Sequence, residues 1–215
     1  MTAGPLLDAL RDEGTARRYK RGGALFLEGE IADRVFLVES GWVTLRTSGP
    51  EGDEMILGLR GPGEVVGEMS ALDGAPRSAT AIAVDEVETT VVAASSLTRL
   101  IDHDAAVAGD LLRLMARRLR ESGSERFEFM ALDALARVAR RLLDLAERFG
   151  APDDDGGTRV ELPLSQEELA SWVGASREAT VKALRTLREI GSITTGRRLV
   201  TIVDRAALLR VARRD

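Results

Sequence analysis

Gly67-Glu68-Met69-Ser70-Ala71-Leu72-Asp73-Gly74-Ala75-Pro76-Arg77-Ser78-Ala79 interrupts a series of short apolar runs, and the fold turns on how it is read. Gly67 lets the backbone approach a ligand closely. Met69 to Leu72 is long enough for one helical turn, whose first free N–H groups, around Met69 and Ser70, favour an anion. Arg77 adds a planar, bidentate cation suited to a phosphate, and Glu68 adds an acceptor for a sugar hydroxyl. This chemistry suits a small phosphorylated sugar, held by charge at one end and by hydrogen bonds at the other. A surface turn closed by an Arg–Glu pair would use the same residues, and chemistry alone leaves both readings open.

On either side of this segment, from Gly22 to Ala94, β-type runs alternate with glycines. Ala24 to Leu27 precedes Glu28-Gly29-Glu30, and Val35 to Val38 precedes Ser40-Gly41. Trp42 to Arg46 alternates in polarity as a half-buried strand does. Met55 to Leu57, Ala79 to Ala83 and Val87 to Ala93 complete a set expected to close into a small antiparallel barrel or sandwich. Before it, the cluster Arg17-Arg18-Tyr19-Lys20-Arg21 reads as a solvated strand or loop.

Beyond the β region, Ala105 to Met130 repeats apolar positions at Leu112, Met115 and Leu119, then continues the spacing through Ser122, Arg126 and Phe129. Alternating steps of three and four are the seam of a two-stranded coiled coil, which predicts a homodimer. A break at Leu132-Asp133 marks the hinge, where Asp133 caps a new helix with a broad apolar face at Leu135, Val138, Ala139, Leu142 and Leu145. Gly150 to Gly157 follows as an exposed loop.

Ser165-Gln166-Glu167-Glu168 is a capping box that opens a short helix. Gly174 supplies the tight turn after it, Ala170 is small enough for a close helix crossing, and Ser176 caps a second helix bearing Arg177, Glu178, Lys182, Arg185 and Arg188. This is a helix-turn-helix pattern. Ile193 to Ile202 reads as a hairpin with a glycine turn at Gly196, the wing, with Arg197 and Arg198 placed for phosphates.

Composition narrows the function classes. Cysteine is absent and His103 is the single histidine, so disulfides, thiol nucleophiles, iron–sulfur clusters and cysteine-ligated zinc are excluded. His103, between Asp102 and Asp104, reads as a surface residue and not a haem ligand. No nucleophile–base pair and no metal cluster is visible, so the chain is not expected to be an enzyme. No segment is apolar enough to span a bilayer and Met1 to Leu10 is not a signal peptide, which predicts a cytoplasmic protein without a membrane partner. The net charge of −5 is uneven: Thr158 to Asp215 carries eleven Lys/Arg against seven Asp/Glu, +4, leaving −9 elsewhere. Only the C-terminal quarter is suited to a polyanion.

Gly-Glu-Met-Ser followed by Pro-Arg-Ser-Ala resembles the phosphate-binding cassette of the cyclic-nucleotide-binding domain. With barrel, long helix and C-terminal module in that order, nearly the whole chain resembles the cyclic-AMP receptor / fumarate–nitrate regulator family of bacterial transcription factors. The resemblance implies an α+β chain: a jelly-roll effector domain over 1–103, a dimerisation helix and hinge over 104–132, and a winged helix-turn-helix over 133–215. It implies contact of Gly67 and Glu68 with a ribose, and of Arg77 and Ser78 with a cyclic phosphate, in cyclic AMP or another cyclic nucleotide. In cyclic-AMP-responsive members a Thr followed by Ser or Asn on the long helix receives the adenine. Here those positions are Ser122, which keeps a hydroxyl, and Gly123, which has no side chain to offer. A polar seam residue or a bend at Glu121 to Ser124 would account for the same residues. Members with other effectors, or with none, keep the cassette, and a signalling subunit acting on a protein partner is a further alternative.

On the DNA side the resemblance assigns guanine to Arg177, whose fork fits O6 and N7. Glu178 can accept from a cytosine N4 or pair with Lys182, and Lys182 can meet base or phosphate. Ala179-Thr180-Val181 departs from the family's commoner order, with Thr180 and Val181 still placed at the DNA and Val181 apt for a thymine methyl. Ser165, Ser176 and Arg185 complete the expected interface. Two such helices in a dimer sit about 34 Å apart, so the target is near-palindromic double-stranded DNA. RNA polymerase is the expected protein partner.

Overall fold

The computed structural model describes residues 4–49 and 54–213 and, at 125–127 and 129, the backbone. Two of the expected seam side chains, Arg126 and Phe129, therefore lie outside the described residues. The contacts divide the chain into two compact units, 1–122 and 123–215.

The first unit opens with α1 (Pro5–Glu13), followed by β1 (Thr15–Tyr19), β2 (Ala24–Phe26), β3 (Arg34–Ser40), β4 (Val43–Ser48), β5 (Glu54–Arg60) and β6 (Val65–Val66). After the short helix α2 (Glu68–Asp73) come β7 (Thr80–Ala83), β8 (Val87–Ala93), α3 (Ala94–His103) and the long helix α4 (Ala105–Ala131), which runs on into the second unit. The strands form two four-stranded antiparallel sheets, ordered β1-β8-β3-β6 and β2-β7-β4-β5. Phe36, Val38, Val66 and Val87 of one sheet share a core with Phe26, Val43, Ala81 and Ala83 of the other. This is the expected jelly-roll sandwich.

The run Val35-Phe36-Leu37-Val38 shows no polar alternation because β3 is covered on both sides. Phe36 and Val38 face the second sheet, while Val35 and Leu37 pack with Leu6 and Leu10 of α1, Leu97 of α3, and Val107, Leu111 and Leu114 of α4. Asp110 fastens α1 to this layer by accepting the Leu6 N–H at 3.2 Å. Arg113 first, and then that amide, holds its carboxyl below the ordinary range. Trp42 to Arg46 departs from simple alternation. Thr44 is fully buried, its hydroxyl donating to the Ile82 carbonyl at 3.4 Å and accepting from Arg46 Nε at 2.9 Å.

Helix α4 sorts its apolar residues into two stripes. Leu111 and Leu114 enter the core and Met115 packs against it, whereas Leu112 and Leu119 stay 71% and 76% exposed with Ala116 between them. Met115 is thus turned inward, away from the predicted seam; the stripe left to solvent is Leu112, Ala116, Leu119.

The second unit continues from the tail of α4 into α5 (Ala134–Phe149), β9 (Ala151–Pro152), β10 (Thr158–Glu161), α6 (Gln166–Val173), α7 (Arg177–Glu189), β11 (Ile193–Gly196), β12 (Leu199–Ile202) and α8 (Arg205–Arg213). Asp133 caps α5, accepting the Ala136 N–H at 2.9 Å. The sheet runs β11-β12-β10-β9, all antiparallel, against a helical core containing Val138, Leu142, Leu145, Leu169, Leu187 and Leu208.

Candidate functional site

The cassette closes around Arg77. Gly67, just ahead of α2, sits at φ 82, a left-handed conformation that costs glycine nothing. A Cβ there would lie 2.6 Å from Arg77 Nη1 and 3.1 Å from the Phe26 ring, so the position also needs glycine for room. Arg77 is 3% exposed, with its guanidinium carbon 4.2 Å from the Phe26 ring centroid and 6.0 Å from that of Phe36. Its Nη1 donates to the Gly67 carbonyl at 2.8 Å and its Nη2 to the Arg34 carbonyl at 2.5 Å. Nε is buried without a partner, and no carboxylate among the described residues forms an ion pair with the group. Burial therefore pushes the guanidinium below its ordinary pKa, against the more distant charges of Asp33, Glu30 and Glu68. A cation out of water with only carbonyls and aromatic faces around it favours an anion. These residues fit a phosphorylated ligand.

The other cassette residues divide. Ser78 and Met69 are exposed, while Glu68 is buried. The Ser70 hydroxyl is buried and donates to the Pro76 carbonyl at 3.1 Å, holding the loop onto α2. Its side chain is therefore a strut, which corrects its placement among the effector contacts. Ser122 is exposed and makes no hydrogen bond with the cassette.

Arg118 joins the cassette to α4, a residue the sequence reading missed. Its Nε approaches Glu68 Oε1 at 3.5 Å, an ion pair without hydrogen-bond geometry. Its Nη1 stands 3.4 Å from Glu121 and 3.9 Å from Glu64, and Nη2 donates to the Val65 carbonyl at 3.2 Å. Arg118 lies one turn before Ser122, so a search of that helix face for cations would have found it.

In the second unit the local signals are realised as caps. Ser165 accepts the Glu168 N–H at 3.1 Å while the Glu168 carboxylate accepts the Ser165 N–H at 2.9 Å. Gly174 ends α6 at φ 67, and Ser176 accepts the Ala179 N–H at 3.1 Å. The exposed face of α7 presents Arg177, Glu178, Val181, Lys182, Arg185 and Arg188. Arg185 is engaged with Glu189 at 2.8 Å, and Arg188 reaches the wing, donating to Thr195 Oγ1 at 3.0 Å. Glu178 is held below the ordinary carboxylate range, first by its own backbone amide and then by the Ser176 hydroxyl, and so stays an acceptor.

Thr180 is a correction. Its side chain is fully buried beside Ala183 and Leu187 on the core face of α7, so it packs where the sequence reading put it at the DNA. The wing turn is also differently built. Arg198, not Gly196, takes the left-handed conformation, at φ 56, and its Nη2 donates to the Pro163 carbonyl at 3.0 Å. Arg197 is exposed beside it. Among the described residues no helix is long and apolar enough to cross a membrane, and no cluster of three metal-ligating side chains occurs.

Comparison with known proteins finds the same two parts in the chain. A family model described as a cyclic nucleotide-binding domain matches residues 16–104, and one described as a Crp-like helix-turn-helix domain matches residues 136–211. The chain is 37% identical over 195 residues to a CRP-like cAMP-activated global transcriptional regulator of Mycobacterium tuberculosis, covering 91% of this chain and 87% of that one. It is 35% identical over 196 residues to the cyclic AMP receptor protein of Thermus thermophilus, with the same coverage. The solved structure of FixK2 from Bradyrhizobium japonicum superposes with a TM-score of 0.83 at 25% identity, over 92% of this chain and 96% of that one.

Proposed function

The chain belongs to the cyclic-AMP receptor / fumarate–nitrate regulator family of transcription regulators, and from that premise we propose a homodimer that binds near-palindromic DNA under the control of a cyclic nucleotide. Cyclic AMP is the first candidate, because relatives 37% and 35% identical to the chain are named for that ligand. The observation that carries the reading is the buried guanidinium of Arg77, which forms no ion pair with a carboxylate among the described residues. A cyclic phosphate would supply that charge, with Ser78 beside it and Gly67 and Glu68 at the ribose. Glu68 already leans on Arg118 of α4, so a ligand that engages Glu68 acts on the long helix directly.

We place the effector domain at 1–103, the dimerisation helix and hinge at 104–132 and the DNA-binding domain at 133–215. The stripe Leu112, Ala116, Leu119 supports pairing of two α4 helices, since large apolar side chains left this exposed favour a partner. Arg177, Glu178, Val181 and Lys182 form the reading face, and Arg197 is the phosphate contact of the wing. Ligand binding changes DNA affinity only to the extent that the ligand prefers one arrangement of the protein over the other. Regulation then works by recruiting or excluding RNA polymerase at the bound site.

Calorimetric titration with cyclic AMP, followed by sedimentation with and without it, tests the reading. One ligand per subunit and a dimer at micromolar concentration are expected; no heat at millimolar ligand would remove cyclic AMP. A second reading, a different effector in the same cassette, is favoured by Gly123, which offers no polar side chain where an adenine would be read. In that case another cyclic nucleotide gives the heat that cyclic AMP does not.

A further inference from the structure

Near the end of α4, Glu128 is only 7% exposed. A carboxylate this deep needs partners, and α5 provides them. Arg140 Nη1 donates to Glu128 Oε1 at 3.4 Å, and Arg141 Nη1 stands 3.9 Å from Oε2. The ion pairs bridge the break at Leu132-Asp133, where one helix stops and the next is capped afresh.

Both arginines reach further, as does Arg137 one turn earlier. Arg140 Nε donates to the Ala212 carbonyl at 3.2 Å, in the last turn of α8. Arg141 lies 5.3 Å from the ring centroid of Trp172 in α6, a cation–π distance. Arg137 Nη2 donates to the carbonyl of Gly174 at 3.0 Å, the left-handed residue of the turn that aims α7. One buried carboxylate thus holds two arginines of α5 whose further contacts fall on α8 and α6, while Arg137 of the same helix grips the helix-turn-helix turn.

We propose that Glu128 is the positioning residue that conveys the setting of the long helix to the reading helix, by holding Arg140 and Arg141 of α5, the helix whose Arg137 in turn grips the carbonyl of Gly174. Glu128 touches neither ligand nor DNA in this scheme. Replacing it by glutamine keeps the size and one acceptor but removes the charge that draws two guanidinium groups together. Arg141 is then no longer held over Trp172, and the end of α4 can shift without carrying α6 and α7 along. The inference rests on the reading above in one respect, that α4 carries the effector's influence.

The test uses the full chain with Trp42→Phe, which leaves Trp172 as the only tryptophan. In that background Glu128→Gln is expected to shift Trp172 emission and raise its acrylamide quenching with no ligand present. It should also lower the ratio of DNA dissociation constants without and with cyclic AMP at least ~5-fold, out of a coupling of ~5–150-fold. Cyclic AMP affinity measured by calorimetry stays within about twofold, the scatter allowed a residue remote from the ligand. Glu128→Asp, which retains the charge, restores emission and ratio toward the parent, and a melting curve for each variant separates misplacement from misfolding. Glu128→Gln with parental emission and a parental ratio overturns the proposal. If the parent shows no dependence on cyclic AMP, the functional reading has failed; Trp172 emission and ligand-free DNA affinity still decide this one, and both unchanged would overturn it.

Discussion

The cassette of the first unit and the reading helix of the second both rely on charged side chains, and they place them in opposite ways. Arg77, Glu68 and Arg118 are nearly out of water, pinned by backbone carbonyls and by one another. Arg177, Glu178 and Lys182 stand in solvent on a helix whose other face is core. A buried charge is costly until its counter-charge arrives, so a site of that kind is selective and its ligand contributes to stability. An exposed charge costs little to keep, so it reads a partner by geometry, and losing it spares the fold. The first arrangement suits a small ligand that is enclosed, the second a duplex that is met and released.

Substitutions can break or sharpen this contrast. The largest effect belongs to Arg77→Gln. Hydrogen bonds to charged groups contribute about 1.5–3 kcal/mol each, so two lost to one phosphate weaken cyclic-nucleotide affinity by more than ~100-fold. Calorimetry reads the affinity directly. Thermal melting adds that ligand raises the midpoint of the parent and leaves that of the variant where it was. Retained affinity would mean the guanidinium is a structural strut after all.

Arg177→Ala comes next, costing about 1–3 kcal/mol of discrimination at one base pair. Melting is unchanged and non-specific binding is largely kept. Selection from a random duplex pool reads it, and an unaltered consensus would contradict the assignment. The smallest of the three is Ser176→Ala, which deletes the cap of α7 and costs about 1 kcal/mol of stability. Denaturant unfolding followed by Trp172 in the Trp42→Phe background would show a lower midpoint. This loss should appear although Ser176 is exposed, since its hydroxyl serves the backbone and not solvent.

How far each half could be read in advance follows from the range of the interactions that build it. The helix-turn-helix was legible because its decisive contacts are local. Ser165 with Glu168, Asp133 with Ala136 and Ser176 with Ala179 span three residues each, and Gly174 answers a backbone need at its own position. The cassette was legible as a motif, but the role of each side chain in it was not. Ser70 turned toward Pro76, and Glu68 was met by Arg118 from fifty residues away, a pairing that only the packing of α4 against the jelly roll creates. Thr180 and Met115 were misplaced for a related reason. Met115 lies near the boundary of an amphipathic face, where a rotation of a few tens of degrees decides between core and solvent, and Thr180 is a polar side chain that the core face of α7 takes in beside Ala183 and Leu187. Arg198 at φ 56 shows the same limit at a turn, which the sequence pattern assigned to Gly196.

The claim that contents of the cassette govern the grip on DNA is tested most directly by fluorescence anisotropy of a labelled near-palindromic duplex, titrated with the full-length protein at fixed salt with and without saturating cyclic AMP. The account predicts affinity at least ~5-fold higher with the nucleotide, the lower end of ordinary allosteric coupling, with the difference abolished by Arg77→Gln. Equal affinity in the two titrations, with calorimetry showing the nucleotide bound, would contradict it.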